Sequence, residues 1–88
     1  MHPHEVEFQI KNLDEAENVE SCERILYEFT TYSGKFTDDQ LSRFCSTILS
    51  NNYVYGSNAS KDYLKLILDK NKENLKDSEY EEILKGFD

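Results

Sequence analysis

The sequence predicts an all-α fold, a small compact bundle of four or five short helices. Three observations predict it. Apolar residues recur at helical spacing in several separate stretches. Side chains that start helices stand before some of those stretches. And the one stretch that alternates as a strand would, Val6, Phe8 and Ile10, finds no partner strand elsewhere, so a strand there would have unpaired edges. The 88 residues are read as a single acidic helical domain, 1–88, with one core and a modest stability of roughly 4–13 kcal/mol.

The elements follow in order. Val6, Ile10 and Leu13 share a helix face, which favours a short first helix with Pro3 in its first turn. Asp14 with Glu17 three residues on is a capping-box pattern, and Val19, Cys22, Ile25, Leu26 and Phe29 then form the stripe of a second helix. Gly34 is expected to end it in a left-handed position. The third helix, Asp38 to Asn51, has the strongest start: Thr37 as cap, Gln40 at the reciprocal position, and Phe36 and Leu41 as a hydrophobic staple. Asp38 and Asp39 lie at the positive end of its dipole. Its apolar stripe is Leu41, Phe44, Cys45, Ile48 and Leu49. A connection rich in Gly, Ser and Asn runs from Asn52 to Ser60. A fourth helix starts near Ser60 and carries Tyr63, Leu64, Ile67, Leu68 and Leu75. Ser78 with Glu81 suggests a last short helix holding Tyr80, Ile83, Leu84 and Phe87; one bent helix over 61–85 is the alternative. The expected core holds Cys22, Leu26, Phe29, Phe44, Ile48, Leu64 and Ile67. Cys22 and Cys45 read as small buried thiols rather than a disulfide.

Charge narrows the function. The net is −8, from 18 acidic against 10 basic residues. Residues 1–34 hold eight acids against Lys11 and Arg24, a net of −6; residues 35–60 balance, and 61–88 carry −2. An acidic pole disfavours direct nucleic-acid binding, since phosphate needs a basic footprint, and favours a basic protein partner. No apolar run approaches the ~20 residues of a membrane span, and the start, Met1 to Glu5, lacks the features of a signal peptide. The chain is therefore expected in the cytoplasm, away from membranes.

Candidate partner-binding residues lie in two places. On the second helix Glu17, Glu20, Arg24, Glu28 and Thr31 point away from the apolar stripe, with Glu23 and Tyr27 on its flank. Arg24 is four residues from both Glu20 and Glu28 and is expected to pair with them, which still leaves excess negative charge. In the connection, Tyr53 and Tyr55 flank Val54; tyrosine gives contact area and a hydroxyl at low entropic cost. Leu66 lies nearly opposite the fourth helix's core face, so it is either a second contact point or covered by the N-terminal segment.

Other chemistry is not expected. His2 and His4 lack a fixed third ligand, so no metal site is predicted. No carboxylate sits in an apolar setting that would raise its pKa, and no phosphate loop, nucleophile elbow or Cys-x-x-Cys is present, so neither an enzyme nor a cofactor is expected. The size leaves little room for a small-molecule pocket. Asn58-Ala59-Ser60 matches the glycosylation triplet, which has no meaning in a cytoplasmic chain.

In size, charge and layout the chain is similar to bacterial immunity proteins that block nuclease toxins. That similarity implies an inhibitor of immunity or antitoxin type, whose carboxylate-rich helix occupies the basic groove a nuclease keeps for phosphate. A phage-type inhibitor that mimics DNA charge follows the same logic. A different class is a helical adaptor or structural subunit that binds through the fourth helix and Phe87.

Overall fold

A computed structural model describes residues 2–87. Five helices follow one another: α1 (Glu5–Glu15), α2 (Val19–Thr30), α3 (Asp38–Ser50), α4 (Asn58–Lys70) and α5 (Asp77–Lys85), with 3-10 turns at Asn52–Tyr55 and Lys72–Asn74. No strand is present among the described residues. The helix reading of the first segment holds: Val6, Ile10 and Leu13 are buried and Phe8 is left outside.

α2 sits at the centre, against α1, α4 and the first 3-10 turn, while α3 packs on α1 and carries α5 on its other flank. The expected core residues are all buried. An aromatic cluster forms the middle, with the Phe44 ring centroid 5.4 Å from Phe29 and 5.2 Å from Phe36. Cys22 and Cys45 are separate buried thiols.

α3 starts as its sequence foretells. Thr37 Oγ1 accepts from the Gln40 amide (3.2 Å), and the Gln40 side chain accepts from the Thr37 amide (3.0 Å). Phe36 and Leu41 are both buried across the cap.

Elsewhere local signals are overruled. Asp14 does not start α2; it lies in the last turn of α1, because Leu13 completes α1's buried face. Asn18 caps α2 instead, accepting from the Ser21 amide at 2.8 Å. Pro3 falls just before α1, where its carbonyl receives the Val6 amide. Gly34 is not left-handed; no described residue has a positive φ, and α2 closes at Thr31, whose amide donates to Glu28 and Phe29 carbonyls. α4 begins at Asn58, two residues before the expected start, with Ser57 accepting from the Ser60 amide. The segment after residue 60 is two helices, not one bent helix. Ser78 lies inside α5 rather than capping it, since the chain leaves the buried Leu75 in extended form and turns helical at Asp77. Leu49 is 45% exposed at the edge of α3's stripe, while Thr47 on the opposite flank is buried.

Two buried amides pin the connections. Asn51 Nδ2 donates to the Leu13 carbonyl (2.8 Å) and the Ala16 carbonyl (3.2 Å), and its Oδ1 accepts from the Tyr53 amide (3.0 Å). Asn71 Nδ2 donates to the Ile67 carbonyl (2.9 Å), and its Oδ1 accepts from the Phe36 amide (3.0 Å). Each amide uses donor and acceptor on different segments, as a buried polar group must.

Candidate functional site

α2 presents two distinct flanks. At about 100° per residue, Glu20, Glu23, Tyr27 and Thr30 leave its core stripe on one side, and Ser21, Arg24 and Glu28 on the other. The structure assigns a neighbour to each side. Ser21, Arg24 and Glu28 line an open polar groove against α1, together with Gln9 and Asn12. On the second side Tyr27 and Thr30 meet the face of α4 that carries Tyr63, Leu66 and Lys70; Glu20 and Glu23 lie on that same side of α2, nearer its start.

This second side is a seam closed at one ring pair and open beyond it. The Tyr27 and Tyr63 rings meet edge to face, centroids 5.6 Å apart and planes at 64°. Tyr27 is nevertheless 51% exposed, and Leu66 is 59% exposed. Further along, Thr30 and Leu66 both border a hollow of about 210 Å³ floored by the buried Phe29 and Ile67. Leu66 is thus a seam residue and does not lie under α1.

The expected site residues therefore divide. Glu20, Glu23 and Tyr27 come together on the seam. Glu28, half-buried, belongs to the α1–α2 groove with Arg24. Glu17 is not on α2; it lies in the link after α1, at the end of the bundle. Tyr53 is at that end too, 47% exposed and beside Asp14 and Ala16. Tyr55 is turned inward: its hydroxyl donates to the Ile83 carbonyl at 2.9 Å and its ring packs on Phe87. Burial raises the Tyr55 pKa above the ordinary value.

No family model, curated protein or solved structure matches the chain.

The electrostatics of the seam also differ from expectation. Among the described residues the ion pairs are Lys35–Glu73, Arg43 with both Glu7 and Asp39, and Lys85–Glu82. Arg24 does not pair with Glu20 or Glu28: its side chain leaves α2 toward α1, away from Glu20. Glu20 and Glu23 are in none of these ion pairs and stand on the same side of α2 as the aromatic pair. The opposite end of the seam carries a cation. The Lys70 ammonium donates to the Tyr32 carbonyl and lies 5.7 Å from the Tyr32 ring centroid.

The other reactive groups are quiet. Burial, then the nearby Glu79 carboxylate, pushes the Cys45 thiol up to about 12; burial raises Cys22 as well, opposed by the Asn51 amide. Neither thiol is a nucleophile at neutral pH. Among the described residues no three of His, Cys, Asp and Glu are placed to hold a metal ion. Among the described residues no helix is long and apolar enough to cross a membrane.

Sequence reasoning missed Tyr63, Thr30 and the hollow beyond them. Tyr63, Leu66 and Lys70 recur at i, i+3 and i+7, a legible second stripe on α4. What no local pattern carries is that this stripe abuts Tyr27.

Proposed function

We propose that this domain is a protein-binding inhibitor of immunity or antitoxin type, which occludes a basic, nuclease-like partner with the α2–α4 seam. The observation that carries the reading is the company Tyr27 keeps. A half-exposed ring, held edge-on by Tyr63, stands one and two helical turns from Glu23 and Glu20. A rigid aromatic gives a partner contact area at low entropic cost, and unneutralised carboxylates beside it steer a basic surface into place. The same carboxylates repel one another in the free protein, a small cost that a basic partner removes.

The test begins with a partner recovered from the native host and identified. Glu20→Lys with Glu23→Lys leaves the fold intact, because both side chains lie off the core stripe. Association slows by about tenfold or more at low salt and much less at high salt, since exposed charges act on encounter. An unchanged association rate at both salt levels refutes the reading. The competing adaptor reading draws on Phe8, which is 63% exposed on the outer side of α1; salt-insensitive binding that Phe8→Ser abolishes favours it.

A further inference from the structure

We infer that the partner element seated on the seam is an amphipathic helix, with its basic end over Glu20 and Glu23 and one apolar side chain, two turns on, in the hollow between the C-terminal ends of α2 and α4. The inference rests on the seam being the working surface, and adds which part of the partner binds there, in which direction and with what spacing.

The hollow is an apolar socket with a charged edge. Phe29 and Ile67 form its floor, Thr30, Tyr32 and Leu66 its walls, and Lys70 its far edge. Its volume is about 210 Å³. A cavity of ~150 Å³ with apolar lining accepts a benzene ring, so one leucine, methionine or phenylalanine side chain fits. An apolar pocket of this kind, emptied of water when a side chain fills it, is where a binding anchor gains most.

Charge sets the direction. Glu20 and Glu23 mark one end of the seam; at the other the Lys70 cation adjoins the exposed Asp69, so the excess of negative charge lies at the Glu20 and Glu23 end. A basic segment laid across it is attracted at Glu20 and Glu23 and repelled at Lys70. Reversing the segment puts its cations beside Lys70 and its apolar anchor among carboxylates.

Spacing sets the register. From Glu23 to Thr30 is seven residues of α2, ~10 Å at 1.5 Å per residue. A partner helix lying along the seam covers that span between positions i and i+7, which share a face. Its i+3 and i+4 positions then pass over Tyr27 and Tyr63. The described chain offers no strand edge for β-addition, which leaves helix-in-groove docking as the mode that suits two helices side by side.

The probe is a synthetic alanine-based helical peptide with two lysines one turn apart and a leucine seven residues beyond the second lysine. Its counterpart has the same composition with the leucine nine residues beyond the second lysine, on the opposite face of the helix. Each is titrated into the full-length, isotopically labelled domain, and amide chemical shifts are followed. Shifts are expected at Thr30, Leu66, Ile67 and Lys70 as well as at Glu20 and Glu23. Leu66→Ser, on an exposed side chain that the fold does not need, weakens binding about tenfold, and so does leucine to serine in the peptide. The two changes together cost less than their product, because they remove one contact. The counterpart, whose leucine cannot reach the hollow while its lysines lie over Glu20 and Glu23, binds about tenfold more weakly. If Glu20→Lys with Glu23→Lys weakens the peptide while Leu66→Ser does not, the socket is unused; the inference falls and the charged seam stands. If the charge reversal has no effect, the reading of the seam falls with it. A peptide that fails to bind at millimolar concentration, or binds no better than its counterpart, overturns the inference.

Discussion

Asn51→Ala removes an amide that four groups share: the Leu13 and Ala16 carbonyls, the Tyr53 amide and, at 3.8 Å, the Cys22 sulfur. The Leu13 carbonyl is met in a buried setting, so losing its donor costs about 1–3 kcal/mol. The Ala16 and Tyr53 bonds are partly reached by water and cost about 0.5–1.5 kcal/mol each. The total, about 2–6 kcal/mol, is large beside the ~4–13 kcal/mol expected of a domain this size. At ~4–8 °C per kcal/mol, melting falls by about 10 °C or more. Urea unfolding followed by circular dichroism reads the loss as a lower midpoint. Asn51→Asp sharpens the test. It keeps the acceptor for Tyr53 but aims a second oxygen at two carbonyls, so at neutral pH it is at least as damaging as alanine. A buried carboxyl in that place has a folded pKa above its unfolded value of ~3.9. Its protonated form can donate, so the deficit relative to the parent narrows at low pH and grows as pH rises through the folded pKa. An Asn51→Ala protein that melts within about 3 °C of the parent, or an Asp variant whose deficit ignores pH, refutes the claim that this amide pins the connections.

Phe44→Ala deletes a ring between Phe29 and Phe36 and costs about 3–5 kcal/mol, read by urea unfolding; an unchanged midpoint would mean the core centre lies elsewhere. Alkali destabilises the fold through Cys45. With an ordinary value of 9.0 and a folded value of about 12, its contribution is full below pH 9.0 and drains as pH rises toward 12, at about 1.4 kcal/mol per pH unit. Cys45→Ala flattens that slope between these limits, and parallel curves for the two proteins would sink the assignment. Gly86→Ala brings a methyl to 2.2 Å from Tyr55 Cζ; the ring must move off Phe87 and lose its bond to Ile83, lowering stability by about 1–2 kcal/mol. A higher melting temperature for that variant contradicts the packing described.

Legibility followed the range of the interactions. α3 was readable because its start is settled within five residues: Phe36, Thr37, Gln40 and Leu41 all answer one another locally. The α1–α2 boundary was misread because the Asp14–Glu17 pattern is equally local but loses to a distant partner. Asn51 holds the Leu13 and Ala16 carbonyls across 38 and 35 residues, and the link between α1 and α2 forms around that amide. The Ser78–Glu81 pattern failed in the same way, with Leu75 committed to the core just before it. For the surface, helical periodicity placed Glu20, Glu23 and Tyr27 outside the core stripe correctly. It said nothing of which helix lies beside them, so the meeting of Tyr27 with Tyr63 and the hollow past Thr30 were not legible. Tyr55 and Tyr53 look alike as neighbours of Val54, yet Tyr55 meets Ile83 and Phe87 near the end of the chain while Tyr53 stays in the open.

α5 is the lightly held element of this bundle. Ile83 is its fully buried side chain, and beyond α3 its hold is Tyr55, bonded to the Ile83 carbonyl and packed on Phe87. Detaching it costs a fraction of global unfolding, so it is the natural first unit to open. Cys45 lies on α3 with Glu79 of α5 near enough to perturb its thiol, whereas Cys22 is covered by Asn51 on the other side of the core. The two thiols therefore sit under different lids. With a thiol reagent in excess, Cys45 is modified at the pace of α5 undocking and Cys22 only when the core itself comes apart. The order and ratio of the two labelling rates turn this pair of silent cysteines into a clock for the sequence in which the domain unfolds.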